Sequence, residues 1–214
     1  MSKGILLVEG DDDQHVVWAL CEAHDLPESF AVKEKGGKTP LLSGLPVYLM
    51  NPDRYPQVGI LLDADVDLSA RWNSIVHRLQ TAGYSPPPDP PADGLVLDHP
   101  AGDGPRVGVW LMPNNRLPGM LEDFVRMLIP EGDALVPEAE GALSIIEGKG
   151  LRRYAPQYRP KAFIHTWLAW QEEPGKPMGA AITTWKYLDP TSTQAERFVA
   201  WLHWLFLKER RNER

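Results

Sequence analysis

The chain carries acidic residues at the point where its first apolar run ends. Residues 5–8 are apolar, and Glu9, Asp11, Asp12 and Asp13 follow within five positions. Asp and Glu are poor strand formers and repel one another, so a hydrophobic core has no need of this group. The group is either a solvated loop or part of a divalent-metal site. We expect Glu9 and Asp13, one helical turn apart, to be metal ligands, and Asp11 and Asp12 to be solvated.

Two further acidic groups follow other apolar runs. Asp63 and Asp65 form a D-x-D pair behind the clearest predicted strand, and Glu122 and Asp123 begin a predicted helix behind another. Mg²⁺ and Mn²⁺ prefer oxygen ligands, and Mg²⁺ is bound by few carboxylates. Ligands of parallel sheets bind at the carboxyl ends of the strands, where Glu9 also lies. We therefore predict a Mg²⁺ or Mn²⁺ site there, closed by either Glu122 or Asp123.

Other catalytic signatures are incomplete in this sequence. Gly37-Lys38-Thr39 resembles the end of a P-loop, but Val32 stands where that motif needs its first glycine. We interpret the Gly36–Lys38 stretch as a loop, with a phosphate-binding turn as the alternative. The six histidines lack the spacing of a zinc site, and G-x-S-x-G does not occur.

Composition indicates a globular protein with a substantial core. The chain has 214 residues, of which 43% are hydrophobic and 24% charged, and a single cysteine, Cys21. Its apolar stretches are shorter than the roughly 20 residues that a membrane span needs, and residues 1–4 do not resemble a signal peptide. We expect a soluble cytoplasmic protein of bacterial type, with no membrane partner.

The charge is unevenly distributed along the chain. The net charge of -7 argues against a protein that coats nucleic acid through bulk positive potential. Residues 1–150 carry 11 basic and 23 acidic side chains, a net charge of -12, and residues 151–214 carry 11 and 6, a net charge of +5. This asymmetry suits an anionic substrate held by the basic part and presented to metal ions in the acidic part, or it arises by chance.

Apolar runs alternate with helical patterns, which predicts an α/β fold with a mostly parallel sheet and helices on both faces. Prolines interrupt the pattern at Pro46, which is expected to break a short segment over residues 41–50, and in the loop-like insertion 85–105. We expect residues 131–150 to be a connector and residues 151–214 a basic helical extension. Four tryptophans in that extension predict core or a homodimer interface, with base stacking as the alternative: Trp167, Trp170, Trp201 and Trp204.

The order of these motifs resembles the TOPRIM domain of topoisomerases, bacterial primases and OLD (overcoming lysogenization defect) nucleases. The resemblance covers residues 1–130 through "LLVEG" with Asp13, "ILLDADVD" and "GMLEDF". The Glu9–Asp13 spacing is most similar to that of the OLD-type nucleases. The whole chain also resembles a family of small, uncharacterised bacterial TOPRIM-like proteins, through "KEKGGK", "WLMPNN", "LEDF" and "KAFIHTWLAW".

The resemblance implies a metal-dependent nuclease acting on DNA or RNA. Glu9 would be a metal ligand or general base, and Asp63 and Asp65 would be metal ligands. Asp13 and Glu122 would complete a second metal position. A lysine that stabilises the transition state in OLD nucleases corresponds best to Lys161, which is the other catalytic candidate. These nucleases also carry an ATPase domain, so a separate ATPase or another protein is a candidate partner.

Two alternatives to a nuclease stay open at this point. The first is a non-catalytic module that keeps the fold in order to bind a metal, a nucleotide or another protein. The second is nucleotidyl transfer, as in primases. The number of converging carboxylates favours an enzyme, because a binding surface alone has little use for them.

Overall fold

A five-stranded sheet forms the centre of the computed structural model, which describes residues 4–207. Four strands are parallel and the short edge strand is antiparallel, in the order β2-β1-β3-β5-β4, so the predicted mostly parallel α/β sheet is confirmed. The strands are β1 (Gly4–Val8), β2 (Phe30–Glu34), β3 (Gln57–Asp63), β4 (Leu95–Leu97) and β5 (Arg106–Met112).

Helices cover both faces of this sheet. Successive residues of a strand point to opposite faces, so Leu6 and Val8 belong to one hydrophobic core while Ile5 and Leu7 belong to the other. The helices are α1 (Asp11–Ala23), α2 (Lys38–Leu49), α3 (Leu68–Thr81), α4 (Leu121–Arg126), α5 (Leu135–Gly148), α6 (Arg159–Ala169), α7 (Met178–Thr183) and α8 (Thr193–Phe206). Helices α2 and α3 pack on the face of Ile5, and the other helices contribute to the core of Leu6. Within residues 4–207, none of the helices is long and apolar enough to cross a membrane.

Helix α8 packs closely against two neighbouring strands. Gly59 of β3 and Gly108 of β5 are partners in the sheet register. A Cβ atom on Gly108 would lie 2.5 Å from a methyl carbon of Leu205, and one on Gly59 would lie 3.1 Å from the same carbon. The absence of both side chains therefore makes room for α8. The predicted extension 151–214 thus contributes to the central core, although its residues 208–214 lie outside the described part of the chain.

Two segments contain more regular structure than their prolines indicate. Helix α2 continues past Pro46, which leaves the carbonyl oxygen of Leu42 without its usual helical donor. The Arg78 side chain supplies a replacement, with its Nε 3.1 Å from Leu42 O. The break expected at Pro46 is therefore wrong. In the insertion 85–105, Leu95–Leu97 forms β4, because β5 and the indole of Trp201 provide partners for its backbone.

The connector expected at residues 131–150 contains the 14-residue helix α5. Only Ala139 and Leu143 of this helix are buried, which explains the weak apolar pattern in the sequence. Ion pairs fix it to its neighbours, because Glu140 lies between Arg126 of α4 and Arg159 of α6. These contacts hold the beginning of α6 in place beside the carboxyl ends of the strands.

Candidate metal and phosphate site

Three adjacent strands deliver acidic residues to one crevice. Glu9 directly follows β1 and Asp63 ends β3, and the backbone N–H of Asp63 donates to Glu9 Oε1 over 2.9 Å. The loop after β5 brings in the first residue of α4, whose N–H donates to Asp63 Oδ1, again over 2.9 Å. The two carboxylates therefore connect the ends of all three strands, as the parallel sheet predicts.

Asp13 is buried in the same crevice. It lies in the first turn of α1, where its Oδ2 accepts a hydrogen bond from the N–H of Gly10 at 3.0 Å. Its side chain is held in an interior position, only 7% of the residue being exposed, and its Oδ1 has no hydrogen-bond partner among the described residues. Asp11 and Asp12 are exposed. A buried carboxylate oxygen without a partner is costly, so the site has room for a proton or a cation there.

Glu122, not Asp123, faces the other acids. It is 3% exposed and pairs with Lys161 of α6, whose Nζ lies 3.0 Å from Glu122 Oε1. The Asp123 carboxylate turns back to accept a hydrogen bond from the N–H of Met120 at 2.9 Å, which caps α4. Lys161 is thus at the crevice, where the sequence resemblance expects it.

Burial and the neighbouring negative charges raise the pKa values of three acids of the crevice, Glu9, Asp13 and Asp63. Burial raises the pKa of Asp13 to about 7, and the charges of Glu9 and Glu122 add to the effect. Burial and the surrounding acids, Asp13 foremost, raise the pKa of Asp63 well above its ordinary value. Burial also raises the pKa of Glu9, with a contribution from Asp65. The ionised crevice therefore has more negative charge than the protein compensates.

Asp65 differs from Asp63 because two cations already neutralise it. Its Oδ2 lies 2.9 Å from Lys38 Nζ and also accepts a hydrogen bond from Arg71. Its backbone has a φ of +55° and exchanges two hydrogen bonds with Gly119. Asp65 therefore lies beside the other carboxylates in a turn that backbone hydrogen bonds hold in place, and Lys38 and Arg71 compensate its charge.

Lys38 and Arg71 are functional candidates that the acidic pattern does not reveal. Arg71 lies in the first turn of α3, and its Nε also donates to Asp63 O at 2.9 Å. Lys38 begins α2 after Gly36 and Gly37, which both have positive φ. The only available signal was the Gly-Gly-Lys stretch, which the sequence alone leaves open between a loop and a phosphate-binding turn.

The donor set fits a hard divalent cation, although the side chains are not arranged as a finished metal site. Among residues 4–207, no three Asp, Glu, His or Cys side chains converge closely enough to hold an ion as they stand. Glu122 pairs with Lys161, and Asp65 with Lys38 and Arg71. The fit rests on oxygen-only donors and on the unpartnered Oδ1 of Asp13. Binding an ion would therefore require local reorientation of side chains.

The sheet order and the acidic crevice at its carboxyl ends define an α/β protein with a mostly parallel five-stranded sheet. The chain belongs to the family described as "Protein of unknown function (DUF3226)", whose model matches residues 3–207. No curated protein gives a significant match. A solved structure of the C-terminal region of the OLD protein of Xanthomonas campestris pv. campestris is similar at 16% identity and a TM-score of 0.37, with 94% of this chain and 98% of that chain covered.

Proposed function

We propose that this protein hydrolyses phosphodiester bonds of nucleic acid with the help of Mg²⁺ or Mn²⁺ bound in the acidic crevice. The observation that carries the proposal is the burial of Asp13 and Asp63 beside Glu9 and Glu122, which raises the pKa values of Asp13 and Asp63. A buried carboxylate destabilises the fold when it is ionised. The presence of two of them in one crevice therefore favours a function that needs negative charge there.

Five carboxylates would hold the metal, with oxygen as the donor in every case. Asp13 and Asp63 have the strongest need of a counter-charge, and Glu9 and Glu122 lie at their sides. Asp65 would join after exchanging one of its two cationic partners. A metal bound there would supply a nucleophilic water at neutral pH and stabilise negative charge on the leaving oxygen.

Cations at the rim of the crevice suit the phosphate of a nucleic-acid substrate. Lys38 and Lys161 both line the crevice, and about half of each side chain is exposed to solvent. Arg71 is more buried and is held by Asp63 O and by Asp65. These side chains can bind phosphate oxygens while the carboxylates are occupied by metal, which reconciles a phosphate substrate with a strongly acidic site.

Cleavage assays on site variants test this proposal. Single- and double-stranded DNA and RNA are incubated with Mn²⁺ and the wild-type protein, or with Asp63→Asn, Glu9→Gln or Asp12→Asn. We expect cleavage by wild type and Asp12→Asn and a loss of several orders of magnitude for the other two. Asp12 lies in the first turn of α1 at the exposed edge of the crevice, where its charge is solvated.

Metal binding, measured by calorimetry, separates the nuclease from its alternatives. Mn²⁺ binding that Asp63→Asn abolishes, without cleavage of any substrate, would favour a non-catalytic binding module. Equal cleavage by wild type and Asp63→Asn would show that the activity does not come from this crevice.

A further inference from the structure

A cavity of about 720 Å³ adjoins the acidic crevice. It lies between the turn after β3, the loop before α4 and the 3₁₀ turn Pro156–Tyr158 that precedes α6. Its walls share Lys38, Asp65, Met120 and Tyr158 with the crevice that contains Glu9 and Glu122. The volume lies within the range of small-molecule sites, roughly 300–1,000 Å³. A substrate whose phosphate lies among the carboxylates would therefore extend into this cavity.

The wall of the cavity is chemically suited to a flat, largely apolar group with polar edges. Ala64, Pro118 and Met120 form apolar parts, and the Tyr158 ring provides an aromatic surface. The acids that border it already have hydrogen-bond donors: Asp65 accepts from Lys38 and Arg71, Asp67 from the N–H of Ala70, and Asp123 from the N–H of Met120. Their charges are thus partly compensated before any ligand arrives.

Tyr158 is exposed although it lies on a rigid support. The residue is 49% exposed, and within residues 4–207 its hydroxyl group has no hydrogen-bond partner. Its N–H donates to Ala155 O at 2.9 Å, and prolines stand two positions before and two after it. The next residue, Arg159, pairs with Glu140 and Glu147 of α5. An aromatic ring that is held in advance loses little conformational entropy when a ligand stacks on it.

We propose that this cavity binds the base next to the scissile phosphate, stacked on Tyr158, and that the substrate is consequently single-stranded. The inference rests on the proposed function, because it places the phosphate in the acidic crevice. In a duplex, each base is paired and stacked between its neighbours, so it could enter a lateral cavity only after being extruded. A single strand can place a base there directly, and stacking on an aromatic ring tolerates any base sequence.

Binding to matched strands tests the base site separately from catalysis. Fluorescence anisotropy is measured in millimolar Ca²⁺ with a labelled oligodeoxythymidylate, with an abasic strand of the same length and charge, and with a duplex. The proteins are wild type, Tyr158→Ala, Tyr158→Phe and Trp170→Ala. Trp170 is a control because it is 44% exposed and does not line the cavity. Circular dichroism verifies that each variant is folded.

We expect wild type to bind the oligodeoxythymidylate more tightly than the abasic strand or the duplex. Tyr158→Ala should weaken binding of the thymidylate strand by about 5- to 150-fold and leave the abasic strand unchanged, since it removes only base stacking. Tyr158→Phe and Trp170→Ala should behave like wild type.

Two results would overturn the base site. One is equal affinity of wild type for the base-containing and abasic strands, and the other is an equal loss on both strands in Tyr158→Ala. If Mn²⁺-dependent cleavage persists alongside either result, the nuclease proposal stands and the base site alone is wrong. If no strand is bound and none is cleaved, both proposals fail.

Discussion

Neutralising Asp13 is expected to stabilise the metal-free protein at and above neutral pH. The Asp13→Asn change keeps an oxygen that can accept the hydrogen bond from Gly10, so the beginning of α1 should be preserved. It removes a charge that burial and two neighbouring acids, Glu9 and Glu122, make unfavourable. Asp13, a proposed metal ligand, would thus be a residue whose replacement increases the stability of the metal-free protein.

The magnitude follows from the pKa of Asp13, which burial raises from 3.8 to about 7. Between these two values the native state keeps a proton that the unfolded state has lost, so the free energy of unfolding of wild type falls as the pH rises. At 1.36 kcal/mol for each of about three pH units, the full penalty is about 4 kcal/mol. It is complete above pH 7 and absent below pH 4. Because Asp63 is coupled to Asp13, the measured gain includes relief of Asp63.

Urea denaturation in EDTA, repeated between pH 4 and pH 8, measures this effect. Asp13→Asn should unfold at a higher urea concentration than wild type at pH 8, and the difference should disappear towards pH 4. Asp12→Asn is the matched control, since it removes an exposed charge from the same helical turn and should not change the pH dependence. A wild-type slope retained by Asp13→Asn, or a less stable Asp13→Asn protein at pH 8, would refute the reasoning.

Four further predictions concern other parts of the structure. Millimolar Mn²⁺ should raise the melting temperature of wild type at pH 8 and not that of Asp63→Asn, because the variant lacks the carboxylate that lies among all the other proposed ligands. Differential scanning fluorimetry measures both. Lys161→Met should lower the free energy of unfolding by about 1–3 kcal/mol in EDTA, because it leaves the buried Glu122 without its cation; the exposure of half of the Lys161 side chain limits the effect. Urea titration measures the change, and an unchanged midpoint would mean that the ion pair is weak. Gly108→Ala should lower the free energy of unfolding by about 1–3 kcal/mol, because the added methyl group forces Leu205 away. Gly44→Ala in α2 is the control, since a Cβ atom there meets nothing within 4 Å. Arg78→Met should lower the free energy of unfolding by about 1–2 kcal/mol, because it leaves Leu42 O in α2 without its hydrogen-bond donor. A stability equal to that of wild type would show that water replaces the guanidinium group.

The positions of the four parallel strands and of their acids were predictable from local patterns. Glu9 and Asp63 each follow an apolar run, and the rule that parallel strands end at one edge was sufficient to bring them together. The alternation of strands and helices also gave the mostly parallel sheet. These features depend on neighbours in sequence and on one topological rule, so the sequence alone predicts them.

The different environments of the acids were not predictable. Asp63 and Asp65 look equivalent in the sequence, yet Asp65 is neutralised by Lys38 from one crossover and Arg71 from another. The choice between Glu122 and Asp123 depends on which side chain turns back to cap α4. The extent of α2 and the position of β4 likewise depend on partners distant in sequence, namely Arg78 and Trp201. Tertiary contacts decide such questions, and no local pattern records them.

The close packing of α8 on Gly59 and Gly108 has a consequence for how the chain reaches its native state during synthesis. The helix that covers these strands emerges from the ribosome long after β3 and β5. Until then, apolar side chains on that face, such as Leu6 and Trp110, lack part of their cover. A nascent or truncated chain that ends before Thr193 would present this surface to chaperones and to other chains. Because α8 packs directly on the two glycines, burial of this face of the sheet depends on a late segment of the polypeptide.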